Sequence, residues 1–170
     1  MYFCKCWYIF MNRFTFYYLS FFINSLFIFG QYEKNLIPPL EIPFSLSGTF
    51  GEPRATHFHL GLDIRTKGKE GLEVKSISSG RVSRIRISLG GYGKVIYIDH
   101  PDQTTSVYAH LQKFAPKIES YIKKLQYLNE SYTIQKFPKK DELLIKKGEL
   151  IGFSGNTGGS SGPHLHFEIR

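Results

Sequence analysis

His59 and Asp63 stand four residues apart in the stretch HFHLGLDI, and His164 and His166 stand two apart in GPHLHFEIR. Along a strand, residues two and four apart share a face. His59, Gly61 and Asp63 are therefore expected on one face, with Leu60, Leu62 and Ile64 turned into a core. Gly61 has no side chain to fill the space between imidazole and carboxylate. In the last strand His164 and His166 share one face, and Leu165 and Phe167 the other. SVYAHL adds Tyr108 and His110 on one face of a third strand. A lone histidine is most often a hydrogen-bonded surface or core residue. Imidazoles on three strands, with a carboxylate at even spacing, point instead to a metal. Two histidines and a carboxylate make a tetrahedral zinc site with one position left for water.

The elements that must carry these residues are mostly strands. From residue 71 to 111 the chain largely alternates apolar and polar residues, punctuated by Gly80, Gly90, Gly91, Gly93 and Pro101-Asp102. This predicts strands near 73–77, 80–88, 94–99 and 104–111, joined by hairpins. GGYGK at 90–94 lacks the spacing and the Ser/Thr of a phosphate loop and is expected to be a hairpin turn. After Ala115 the period changes. Ile118, Ile122, Leu125 and Leu128 recur at helical spacing, which predicts one helix of about four turns between Pro116 and Asn129. ELIGFSG (149–155) reads as a strand and NTGGSSGP (156–163) as a tight loop. The expected fold is mainly β, an antiparallel β-sheet groove with one helical insertion.

The first 30 residues differ from the rest. They hold 13 of the 27 aromatic residues and only two charges, Lys5 and Arg13. The uncharged run from Phe14 to Phe29, with Arg13 before it and Gly30 after, reads as a signal peptide or an N-terminal membrane anchor over 1–30. Cys4 and Cys6 both lie in it, so the remainder has no cysteine for a disulfide or a thiolate metal site. Residues 31–46, with Pro38, Pro39 and Pro43, read as an extended lead-in to a domain over 47–170. Beyond residue 30 there are 20 Lys and Arg against 14 Asp and Glu, a net of +6. In an exported protein that excess favours an anionic polymer or a membrane surface. The basic residues are scattered and no nucleic-acid motif is present, which argues against nucleic acid.

HFHLGLDIRT together with GNTGGSSGPHLHFEIR resembles the LytM/lysostaphin-type zinc metallopeptidases, which cleave peptide cross-links in bacterial cell walls. The resemblance runs over about 47–170 and includes HxxxD (His59 and Asp63), the VYAHL strand and HxH (His164 and His166). It implies a sheet groove of the duplicated hybrid motif type. It implies Zn2+ held by His59, Asp63 and His166, with His110 and His164 as the catalytic pair. The substrate it implies is the peptide stems or cross-bridges of peptidoglycan, outside the cytoplasm, in the periplasm or cell envelope. A membrane would be met only through an uncleaved N-terminal segment. The Gly-rich loop 155–163 would form one wall of the groove. His57 and His100 match no functional position, although even spacing puts His57 on the ligand face.

Two departures stand out. The stretch from Lys113 to Lys147 is longer than the short turn of compact family members and is expected to cap or narrow one end of the groove. The chain also stops at Arg170, where the family domain usually continues, as a C-terminally truncated domain would. A catalytically inactive relative, an envelope-binding or hydrolase-activating domain, usually lacks one or more of these residues, and all five are present here. An iron oxygenase uses two histidines and a carboxylate, usually as HxD with a distant His, and the four-residue spacing of His59 and Asp63 with the paired HxH fits that pattern poorly.

Overall fold

In the computed structural model the described residues are 36–170; the leader expected over 1–30, with its two cysteines, and the start of the lead-in lie outside them. The strands are β1 (Leu46–Gly48), β2 (Leu62–Arg65), β3 (Glu73–Lys75), β4 (Gly80–Ile87), β5 (Lys94–Asp99), β6 (Thr105–Ala109) and β7 (Lys113–Phe114). The helix α1 (Pro116–Leu128) follows, then β8 (Ile134–Lys136), β9 (Leu144–Ile145), β10 (Leu150–Phe153) and β11 (His164–Ile169). The main sheet runs β1-β2-β11-β6-β5-β4-β8, with β9 also paired to β4, and a small sheet runs β3-β10-β7. All pairings between these strands are antiparallel. The architecture is the mainly β one expected, with a single helix among the described residues. That helix is not long and apolar enough to cross a membrane.

The apolar faces of the two sheets and of α1 share one core. Ile64, Leu165, Phe167, Tyr108, Ile96 and Ile98 reach it from the main sheet, Val74, Ile151 and Phe114 from the small one, and Ile118 and Ile122 from α1. In β4 a register shift between Val82 and Arg84 moves the alternation by one residue. Val82, Ile85 and Ile87 all face the core as a result, while Arg86 stays exposed. The lead-in joins this core through Leu40, and Lys75 N donates to Pro39 O at 2.9 Å.

Helix α1 begins on Pro116, whose missing N–H costs nothing in the first turn, and Glu119 accepts a hydrogen bond from Phe114 N at 2.9 Å. Its buried face is narrower than expected: Ile118 and Ile122 are buried, Leu125 is partly buried and Leu128 is exposed. No residue from 113 to 147 lines the cleft described below. The expectation that this stretch caps or narrows the groove is therefore overturned. Its helix spends its apolar face on the core, and β8 adds an outer edge to the main sheet.

Two strand assignments near the histidines also change. The strand expected to carry His59, Gly61 and Asp63 begins only at Leu62. His59 sits in a loop tied by Gly51 N to His59 O at 2.8 Å and His59 N to Glu52 O at 2.9 Å. Leu60, freed from strand alternation, is half-exposed rather than in the core. Tyr108 and His110 do not share a face. Tyr108 is buried against Phe167, ring centroids 5.4 Å apart, and its hydroxyl accepts from Ile77 N at 3.0 Å. His110 lies just beyond β6 with φ +59°, and this left-handed turn throws its ring to the opposite side.

Candidate metal centre

The register of β2 against β11 sets Asp63 opposite His166, and the 49–61 loop brings His59 to the same point. His59 Nε2 lies 3.0 Å from Asp63 Oδ1 and 3.0 Å from His166 Nδ1, and His166 Nδ1 lies 2.9 Å from Asp63 Oδ1. All three residues are buried. Gly61 is needed here for another reason than the one expected. A Cβ on it would lie 2.4 Å from Phe167 O and 3.0 Å from His166 Nε2, so glycine is what lets β11 approach.

The far side of each donor is already engaged. His59 Nδ1–H donates to Thr49 O at 2.8 Å, since a carbonyl can only accept. His166 Nε2–H donates to Glu168 Oε1 at 2.8 Å. Arg54 Nη2 donates to Asp63 Oδ2 at 3.0 Å. What remains is a lone pair on His59 Nε2, one on His166 Nδ1 and those of Asp63 Oδ1, all aimed at one buried spot. Three acceptors face one another there with no donor between them, an arrangement costly to bury unless a cation resolves it. The nitrogen and oxygen donors and their number suit zinc with an open position. Burial works against the Asp63 charge, but the imidazoles of His164 and His166 beside it outweigh burial and hold the carboxyl well below the usual carboxylate range.

His110 and His164 stand beside this cluster, their ring centroids 4.7 Å apart, and His110 is 5.8 Å from the His166 ring. His110 Nδ1–H donates to Thr157 O at 2.8 Å, and His164 Nδ1–H donates to Gly162 O at 2.8 Å. Each ring therefore keeps Nε2 for other work. Burial pushes the His110 imidazolium down to about 4, partly offset by its bond to Thr157, so the ring is neutral at neutral pH. His164 Nε2 is 3.4 Å from Asp63 Oδ1.

All five residues line one cleft of about 850 Å³. One wall is the expected Gly-rich loop, through Gly159, Ser160 and Gly162. It is locked to the β4–β5 hairpin by Gly159 N to Gly91 O at 2.7 Å and Lys94 N to Thr157 Oγ1 at 3.0 Å. At Gly93 a Cβ would lie 2.4 Å from the Thr157 carbonyl carbon, and φ is +62°. His57 lines the cleft but is exposed, its ring meeting Thr56 Oγ1, while His100 is buried between Ser79 O and Ser106 Oγ.

Sequence reasoning missed Glu168, Tyr92, Arg54 and the Thr49 carbonyl. Glu168 was within reach of the same alternation, two residues beyond His166. Its carboxylate is wholly buried and accepts from His166, Arg170 Nε and the Tyr92 hydroxyl. Burial raises its pKa, but those three bonds prevail and bring it down to about 2. Arg54 and Thr49 arrive from a loop, and no local pattern announces them.

The sequence profile of Peptidase family M23 matches residues 57–137 and 129–170. Among curated proteins, the chain is 33% identical over 112 residues to an uncharacterized metalloprotease of Haemophilus influenzae, covering 66% of this chain and 18% of that protein. It is 32% identical over 110 residues to the murein hydrolase activator NlpD of Salmonella typhimurium, covering 65% and 22%. The chain thus spans about a fifth of the length of such relatives. Among solved structures, the catalytic domain of the antimicrobial peptidase lysostaphin from Staphylococcus simulans superposes with a TM-score of 0.51 at 28% identity, covering 74% of this chain and 76% of that one.

Proposed function

The chain belongs to Peptidase family M23, and we propose that it is a zinc-dependent endopeptidase that hydrolyses peptide cross-links of bacterial peptidoglycan. The observation that carries this is the convergence of three lone-pair donors, with their other sides engaged, beside two imidazoles that each keep a free Nε2. His59 Nε2, Asp63 Oδ1 and His166 Nδ1 would hold the ion. A zinc ion there supplies a Lewis acid that activates water near neutral pH and polarises the scissile carbonyl.

The chain's own groups do the rest. The bonds from Thr49, Arg54 and Glu168 hold the donors in place before anything binds, so little reorganisation is left to the reaction. The His110 and His164 pair manages protons at Nε2. A neutral ring accepts the proton of the attacking water. A protonated ring donates to the developing oxyanion or to the leaving amine as the C–N bond breaks. Thr157 O and Gly162 O fix both tautomers. The Gly-rich wall leaves room for a flexible peptide of small residues. The uncharged run behind Arg13 supports work outside the cytoplasm.

The similarity to an activator of murein hydrolases favours one second reading, a non-catalytic activator of another hydrolase. The five filled positions speak for catalysis. Incubating the purified full chain with intact peptidoglycan, with and without a chelator, separates the two. Catalysis predicts chelator-sensitive release of fragments with new peptide ends, identified by mass spectrometry. No release by zinc-loaded chain, with stimulation of an added murein hydrolase, would mark an activator.

A further inference from the structure

The cleft has an uneven charge. Four cations line it, Arg54, Arg65, Lys67 and Arg86, against a single acid, Asp63, which belongs to the donor cluster. Arg54 is neutralised by Glu52 and Asp63. The other three are not. Lys67 and Arg86 have no side-chain hydrogen bond or ion pair among the described residues, and both are exposed. Arg65 gives only Nε, to Leu46 O at 2.9 Å, which anchors the arm and leaves the outer guanidinium nitrogens free among the described residues.

Their positions bracket the chemistry. Arg65 lies directly across from His164 in the β2–β11 register, and Lys67 follows two residues on. Arg86 lies on β4, beyond β11, β6 and β5, and thus on the far side of His110. At about 4.8 Å per strand the two groups stand roughly 19 Å apart, the span of about six extended residues. A substrate crossing the strands over the donor cluster therefore meets free cations at both ends of its path.

We infer that this cleft selects peptides carrying free carboxylates on both sides of the scissile bond, with Arg65 and Lys67 engaging one side and Arg86 the other. This rests on the peptidase reading above and adds the substrate's charge to it. Guanidinium forks match carboxylates, and low-dielectric walls concentrate the field of like charges in a cleft. Each contact is partly solvated and individually weak, so the preference comes from the three together.

The test is binding, which does not depend on turnover. Two fluorescent pentapeptides, Ala-Glu-Lys-Ala-Ala with free glutamyl and terminal carboxylates and the same peptide with both amidated, are titrated by anisotropy with the full chain in chelator. Without an ion, no carboxylate can be captured by a metal. The acidic peptide should bind about tenfold tighter at low salt. The triple variant Arg65→Gln, Lys67→Gln, Arg86→Gln should lose that difference. A control with the same net charge, Lys124→Gln, Lys140→Gln, Lys146→Gln, alters exposed lysines outside the cleft and should keep it. Equal binding of the two peptides by the unaltered chain, or a preference that survives the cleft variant, overturns the inference. A chain that shows the preference but cuts no peptidoglycan overturns the endopeptidase reading and leaves a cleft that binds carboxylate-bearing peptides without cutting them.

Discussion

The two faces of β11 are buried to the same degree and built on opposite principles. Leu165 and Phe167 are 0% and 8% exposed on one face, and His166 and Glu168 are 4% and 2% exposed on the other. The apolar pair joins a core whose stabilisation scales with area and tolerates adjustment in direction. The polar pair is held by named partners at fixed points, because each unpaired buried polar group costs about 1–3 kcal/mol. Burial alone does not tell a core from a site. What differs is whether each group's position is set by volume or by a specific bond, and β11 carries both within six residues.

That contrast breaks most visibly at the histidines that hold no lone pair for the cluster. His110→Ala and His164→Ala should each lower peptidoglycan cleavage about 100- to 10,000-fold while zinc content and melting temperature stay near those of the unaltered chain. Steady-state rates beside elemental analysis check this. Loss of zinc in either variant would move that residue from proton handling into the metal site.

On the opposite face the expected outcome is reversed. Leu165→Ala removes methylenes from a fully buried position and should destabilise the fold by about 2–5 kcal/mol, read from urea unfolding. At low temperature, where the variant is still folded, its zinc stoichiometry should remain one. A variant that loses metal without losing stability would mean that the two faces are not separate.

Glu168→Gln sharpens the contrast with a smaller effect. The amide is nearly the same size, so packing is kept, but the charged acceptor behind His166 is gone. Zinc affinity should fall about 10- to 100-fold, measured by competition with a chromophoric chelator. An unchanged affinity would show that Glu168 serves packing alone.

The same contrast explains what was legible in the sequence. Elements governed by local period were readable. The helix from Pro116 to Leu128 and the strand from Lys94 to Asp99 stand where the apolar spacing set them. Residues governed by alternation within one strand were readable too, as with His164 and His166 against Leu165 and Phe167. Positions decided by a single backbone angle or by a distant loop were not. His110 reaches the cleft because its φ is positive, which no alternation pattern encodes. His59 reaches it from a loop whose bonds run to Gly51 and Glu52, so the strand drawn through it in the sequence begins three residues late. The place of the 113–147 stretch was not legible, because length alone says nothing about which edge an insertion joins.

The central claim is that His59, Asp63 and His166 form one zinc site, and metal content tests it most directly. The purified chain, reloaded after chelator treatment and freed of excess metal, should carry one zinc by elemental analysis, and X-ray absorption should show two nitrogen ligands and one carboxylate oxygen from the protein. Asp63→Ala should carry close to none, because a three-ligand site then loses its only charged member. Full zinc occupancy in Asp63→Ala, with the same absorption spectrum, would contradict the account.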